Sequence, residues 1–180
     1  MKRTVSFFAK GIICFLALVF WASAIQAANP ATINVTVTVQ NLSVSATGPI
    51  AFGTVAAASV TVSTDSSHVV NDGNVTETYW LMLTNPGGWT AVQAAPAGEQ
   101  YCLSAQFNSS QPTAVSFTYA NHALSTISTA CSASKFAGDQ TGLSVATSGV
   151  RYLWFKFEAP TTTTVATQQT IVVTITAAAG

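Results

Sequence analysis

Residues able to do chemistry are few in this chain. Its 180 residues include two histidines, His68 and His122, with six acidic and six basic side chains. Neither histidine has a Cys, Asp or Glu at the spacing of a metal site. Ser and Thr are abundant, but a hydroxyl without a positioned base is a weak nucleophile, and no G-x-S-x-G or H-E-x-x-H motif occurs. We therefore predict no catalytic residue, no metal ligand and no cofactor, and a protein that is not an enzyme.

The carboxylates deserve separate consideration because a pair held at a suitable separation can hydrolyse glycosides. Four of the six lie in or near turn sequences, and only Glu77 and Glu158 lie at predicted strand ends. Asp65, Asp72 and Asp139 could bind calcium, but they form no D-x-D-x-D run. We interpret these three aspartates as isolated, solvated turn residues.

Aromatic side chains offer a second kind of chemistry. Trp80, Trp154 and Tyr152 could form a contact surface for sugars, since aromatic faces combine a large apolar area with a polar edge. The alternative is that the two tryptophans cover the outer faces of long strands or lie in a subunit contact.

The N-terminal sequence is typical of a signal peptide. A basic head precedes the apolar run of residues 11–22, and small residues follow, with Ala27 at the predicted cleavage point and Ala24 as a second candidate. We predict that residues 1–27 are removed and that the mature chain passes through a periplasm to the extracellular surface, with no membrane insertion after cleavage. A retained N-terminal anchor is the alternative, although the run is short for a membrane span.

Export to an oxidising compartment would decide whether the cysteines form a disulfide. Cys102 and Cys131 remain after cleavage, and an oxidising compartment favours a disulfide between them. Closing a loop of about 30 residues would contribute about 3–4 kcal/mol in the chain-entropy model. Two free thiols are the alternative.

The charge of the predicted mature chain excludes several partners. Three basic residues then face six acidic ones, which gives a net charge of −3. Nucleic acid and anionic membranes both require clustered Lys and Arg. We expect neither as a partner.

The remaining sequence predicts strands. Residues 69–89 read as a strand end, the turn 71–74, a long strand over 76–84, and the turn 85–88. Further strands are predicted at 50–55 with a bend at Gly53, at 101–107 with Cys102 facing away from the apolar side, at 115–119, at 150–157 in a central position, and at 170–176. Roughly ten short strands with turns between them are typical of an all-β sandwich or barrel. We predict an immunoglobulin-like, two-sheet antiparallel β-sandwich that forms a single domain over residues 28–180.

The N-terminal strand of this domain is unusual. Residues 31–40 contain no charge and alternate strictly, with Ile33, Val35, Val37 and Val39 on one face. A strand at a free terminus can pair within its own sheet, or it can leave and complete the sheet of a neighbour. Few lysines guard the predicted strand edges, and monomeric sandwiches normally protect such edges.

Short motifs resemble known secreted proteins. Residues 42–46 (LSVSA) and 50–55 (IAFGTV) resemble the opening of spore-coat-U-like β-sandwich proteins, and 170–176 (TIVVTIT) is similar to their last strand. Residues 70–75 with 83–85 resemble immunoglobulin-like repeats of microbial surface proteins and camelysin/TasA-type fibre subunits. Leu42 stands where the spore-coat-U pattern has a cysteine, and no functional residue carries over. The resemblance implies a β-sandwich surface-fibre subunit.

These observations favour a secreted structural subunit that self-assembles by β-strand addition into an extracellular filament, a pilus-like fibre or a surface layer. Its expected partners are further copies of the same chain. The alternative is a carbohydrate-binding or adhesive module with glycans as partners.

Overall fold

A computed structural model describes residues 31–180, which fall into two units, residues 31–38 and residues 39–180. The predicted signal peptide lies outside the described residues. All strands belong to the second unit: β1 (Val44–Ala46), β2 (Val60–Val62), β3 (Ser67–Asn71), β4 (Glu77–Thr84), β5 (Thr90–Ala91), β6 (Gln100–Phe107), β7 (Thr129–Ala130), β8 (Val150–Glu158) and β9 (Val172–Ala179).

These strands form two sheets. The larger has the order β1-β3-β8-β6-β5, and β2 pairs with β8 as well; the smaller has the order β7-β4-β9. Every pair is antiparallel except β5 with β6. The all-β prediction is confirmed, and β8 occupies the central position that its two covered faces predicted.

Alternation along the longest strands builds the core. The inner faces of these strands pack together and supply most of the core: Tyr79, Leu81 and Leu83 of β4, Tyr101, Leu103, Ala105 and Phe107 of β6, and Leu153, Phe155 and Phe157 of β8. The Tyr79 and Phe107 rings are 6.2 Å apart across the two sheets. A period of two puts these side chains on the inner faces.

The predicted strand at 115–119 is wrong. A single 3-10 turn (Ala114–Ser116) and the short helix α1 (Tyr119–His122) occupy this region. Ser116 Oγ donates to Thr113 O, and Thr118 N–H donates to His122 Nδ1. Local side-chain hydrogen bonds of this kind compete with ladder pairing, so the alternation of Val115, Phe117 and Tyr119 does not produce a strand.

The predicted disulfide is also wrong, because both cysteines are free and buried. Cys131 belongs to the core between the sheets, where its Sγ lies close to Gly142. Cys102 is in β6 opposite Glu158, and its neighbours Tyr101 and Leu103 face the core. The two thiols therefore lie on opposite faces of the larger sheet.

No strand forms over residues 31–40, contrary to prediction. In the first unit, Ile33, Val35 and Val37 are 86–87% exposed. In the second unit, Val39 is 78% exposed, and Asn74 accepts from Asn41 N–H and donates to Val39 O. The alternating segment thus has no ladder partner among the described residues.

Candidate functional site: an open groove beside β9

One edge of the smaller sheet is unpaired. β9 pairs along its full length with β4, and no other backbone hydrogen bond reaches residues 171–179 among the described residues. Its inward residues Val173, Ile175 and Ala177 are only partly buried, although they face the same core as the fully buried residues of β4. The core is therefore incompletely covered along β9.

The opposite wall is the segment of residues 44–55. Only Val44–Ala46 forms a strand, and the rest is irregular, including the predicted strand at 50–55. Gly53 has a φ of 65°, which confirms the predicted bend. Glycine adopts this left-handed conformation at little cost because it has no Cβ. Ile50, Phe52 and Val55 pack against the core while remaining partly exposed.

Between β9 and this wall runs a groove of about 1170 Å³. Leu103, Phe155 and Phe157 of the larger sheet contribute to it from the core, and Trp89 lines it as well. The volume exceeds the roughly 300–1,000 Å³ of ordinary small-molecule sites. None of the described residues that line it is charged.

The groove combines an open β edge with partly buried apolar side chains that pack against the core. An unpaired edge presents backbone N–H and C=O groups to any extended chain, and the alternating pockets beside it accept alternating apolar side chains. Since no lining residue can act as an acid, a base or a charged ligand, the arrangement is suited to binding an extended apolar peptide.

A second feature is a buried polar cluster on the outer face of the larger sheet. Lys156 Nζ lies 2.7 Å from Glu158 Oε1, Tyr119 donates to Glu158 Oε2 at 2.8 Å, and the Lys156 ammonium contacts the Phe117 and Tyr119 rings. The hydrogen bond to Glu158 raises the pKa of Tyr119 to about 12. Burial raises the pKa of the neighbouring Cys102 thiol. These contacts hold the residues 113–122 against β8.

The predicted aromatic surface is divided. Trp80 is on the outer face of β4 and is 39% exposed. Tyr152 and Trp154 are on the outer face of β8, in the other sheet, where Tyr152 packs edge-on against His68 and Trp154 Nε1 donates to Asn108 O. The three residues lie on opposite sides of the two layers and do not form one surface.

Within residues 31–180, no three His, Cys, Asp or Glu side chains are grouped so that they could hold a metal ion. Over the same range, no helix combines the length and hydropathy needed to cross a membrane.

Sequence reasoning missed two walls of the groove. The segment 44–55 looks like an ordinary strand region, and residues 161–170 look like a featureless Thr-rich connection, yet both line the groove. Ile171, Val173 and Ile175 are half-buried because no strand of residues 31–180 pairs with the second edge of β9. No local pattern records such an absence.

Comparison of this chain with protein-family models, with curated proteins and with solved structures finds no match.

Proposed function

We propose that this chain is a secreted structural subunit with an immunoglobulin-like β-sandwich, and that it self-assembles by strand addition. Residues 33–39 of one copy enter the groove of a second copy and pair with β9. The open β9 edge above an uncharged groove is the observation that carries this proposal.

The spacing of the segment matches that of β9. Residues 33–39 span about 20 Å when extended, at about 3.3 Å per residue. The inward side chains from Ile171 to Ala177 extend over the same number of residues, and three of them, Ile171, Val173 and Ile175, line the groove. The apolar side chains of the segment, at every second position, can therefore lie beside those of β9 in register.

Apolar burial would provide the driving force. Ile33, Val35, Val37 and Val39 are 78–87% exposed, and complete burial of four such side chains gives about 6–12 kcal/mol of gross stabilisation. Ordering the segment opposes this gain. The ladder to β9 and the burial of the groove's own half-exposed residues add to it.

The decisive experiment uses the alternation itself. In the processed chain, Val37→Asp places a charge in the apolar groove and should abolish filaments seen by electron microscopy. Thr36→Asp adds the same charge on the face that would point to solvent, and it should still assemble. Equal assembly by both variants, or by a chain lacking residues 29–40, would exclude strand addition.

Glycan binding is the second candidate, and it rests on Trp80. This side chain stands on an uncharged outer face beside Thr176 of β9 and Met82 of β4. The proposal predicts saturable binding to a defined glycan that is lost in Trp80→Ala and retained in Trp154→Ala. A glycan array without hits would exclude it.

A further inference from the structure

Residues 161–170, which form most of the connection from β8 to β9, are named the flap. From Thr163 onward, every residue of the flap except Thr164 lines the groove. The flap contains no strand, and only Val165 and Gln169 are partly buried. Its own packing is therefore too sparse to hold it in place, and its position depends on a few polar contacts.

Glu99 supplies most of these contacts. Its carboxylate accepts hydrogen bonds from Thr163 Oγ1 at 2.8 Å, from Thr164 N–H, and from Thr164 Oγ1 at 2.9 Å. Its backbone N–H donates to Thr162 O at 2.9 Å. Glu99 thus fixes three consecutive residues of the flap.

The backbone at Glu99 supports a specific role for this residue. Its φ of 56° lies in the left-handed region, which is unfavourable for a residue with a Cβ. Such conformations persist where the surroundings determine them strongly. The hydrogen bond from Thr164 N–H, followed by that from Thr163, holds the pKa of Glu99 below its ordinary value, so the carboxylate is ionised at neutral pH.

Two further contacts connect the flap to the groove. Trp89 Nε1 donates to Thr163 Oγ1 at 2.9 Å, and the Trp89 ring packs 6.1 Å from that of Phe157 in the groove. Gly88 N–H donates to Gln169 Oε1 at 3.1 Å, and a Cβ at Gly88 would lie 2.7 Å from Val165. Thr163 therefore joins Glu99 to the aromatic lining through a single hydroxyl.

We propose that Glu99 is the positioning residue that holds the flap as a wall of the groove and thereby sets how long an inserted strand is retained. This inference rests on the proposed strand addition. When the carboxylate is removed, the flap loses its attachment and the inserted strand loses one of its contacts. Retention should fall, because most changes at an interface act on the dissociation rate.

The test uses the full processed chain with Glu99→Ala, Glu99→Gln and the control Asp139→Ala. Asp139 also accepts hydrogen bonds from a backbone amide and a hydroxyl, both of Ser109, but it does not line the groove. Hydrogen exchange over residues 163–170 reports flap attachment. Mixing fluorescently labelled with unlabelled assemblies reports the rate of subunit dissociation.

In Glu99→Ala we expect loss of protection at the Thr164 amide and dissociation on the order of tenfold faster. Glu99→Gln, which keeps one acceptor, should be intermediate, and Asp139→Ala should match the wild type. Unchanged flap protection in Glu99→Ala would overturn the positioning role. A loosened flap with unchanged dissociation would overturn the link to retention while strand addition stands. If the wild-type chain does not assemble, strand addition fails, and the exchange data alone decide whether Glu99 holds the flap.

Discussion

Lys156 Nζ lies 2.7 Å from Glu158 Oε1, and both side chains, two residues apart on the outer face of β8, are buried beneath residues 113–122. Each charge depends on the other for its compensation. Removal of one partner from a buried pair leaves an unpaired charge and typically costs about 3–5 kcal/mol.

We therefore predict that Lys156→Met lowers the free energy of unfolding by about 3–5 kcal/mol. The double variant Lys156→Met with Glu158→Leu should lose less than the sum of the single changes, because no charge is then left unpaired. Urea unfolding of a chain that spans residues 28–180 measures both. Asp65→Asn, at an exposed position, is the control and should stay within about 0.5 kcal/mol. Additive losses would show that the pair is not coupled.

His122 should make stability depend on pH. Burial, assisted by Lys135 and Lys156, lowers its pKa, and its hydrogen bond to Ala137 O only partly opposes the shift. The folded chain then binds fewer protons than the unfolded chain, whose imidazole has a pKa of about 6.5. Stability should be fully present above that value and should decrease as the pH falls toward the folded pKa.

The check is the urea midpoint at pH 7.5 and at pH 5.5. His122→Phe should remove most of the difference between the two midpoints, whereas His68→Asn, at an exposed histidine, should retain it. If the urea midpoint of His122→Phe changes with pH as much as that of the wild type, groups other than His122 cause the pH dependence.

Gly73 should not tolerate a side chain. A Cβ there would lie 2.4 Å from Glu77 Oε1 and 2.5 Å from Asn41 O. The same Glu77 oxygen accepts from Ser43 N–H at 2.7 Å, so a shift would disturb the attachment of β1. We expect Gly73→Ala to destabilise by about 1–3 kcal/mol.

Gly87→Ala is the matched control, because nothing lies within 4 Å of its Cβ position. Thermal unfolding of the two variants should separate them clearly. Equal midpoints would indicate that the 71–77 turn adjusts without cost.

The two thiols should be unreactive in the folded chain. Burial raises the pKa of both, that of Cys131 to about 12, and a thiol rather than a thiolate is a poor nucleophile. A colorimetric thiol reagent should titrate both only after unfolding, and reductant should leave the urea midpoint unchanged. A loss of about 3–4 kcal/mol on reduction would instead reveal a disulfide.

Assembly should depend little on salt. Neither the alternating residues 31–39 nor the described lining of the groove contains a charge. The proposed strand addition should therefore gain little from electrostatic steering, which salt screens. We expect the assembly rate, followed by light scattering, to change by less than about twofold between 50 and 500 mM salt. A steep decrease would point to a charged surface as the interface.

The sequence predicts the strands where one face is fully buried. Alternation alone locates β4, β6 and β8 and their inward residues, because burial of one face enforces the period of two. The turn at 71–74 and the outward direction of Cys102 are likewise readable from local chemistry. β4, β6 and β8 pack against one another through their inner faces, and the alternation in each strand indicates which residues lie on that face.

The errors have a common physical origin. The alternation of residues 31–40 and of 115–119 satisfies the strand pattern, but a ladder also needs a partner that local sequence does not encode. The sequence identifies Glu77 and Glu158 only as acids at strand ends, and does not indicate that both are buried. Glu77 is compensated by a hydrogen bond from Ser43 N–H, which is 34 residues away in the sequence. Glu158 is compensated by Lys156, and this ion pair is covered by residues 113–122.

The uninterrupted free edge of β9 has a mechanical consequence for a fibre built by strand addition. A strand paired alongside β9 over residues 171–177 lies along the strand direction, so tension in that direction loads the ladder bonds in shear, all at once. A ladder peeled from one end breaks its bonds one after another at low force. A fibre of such junctions would resist stretching without any covalent link between its subunits.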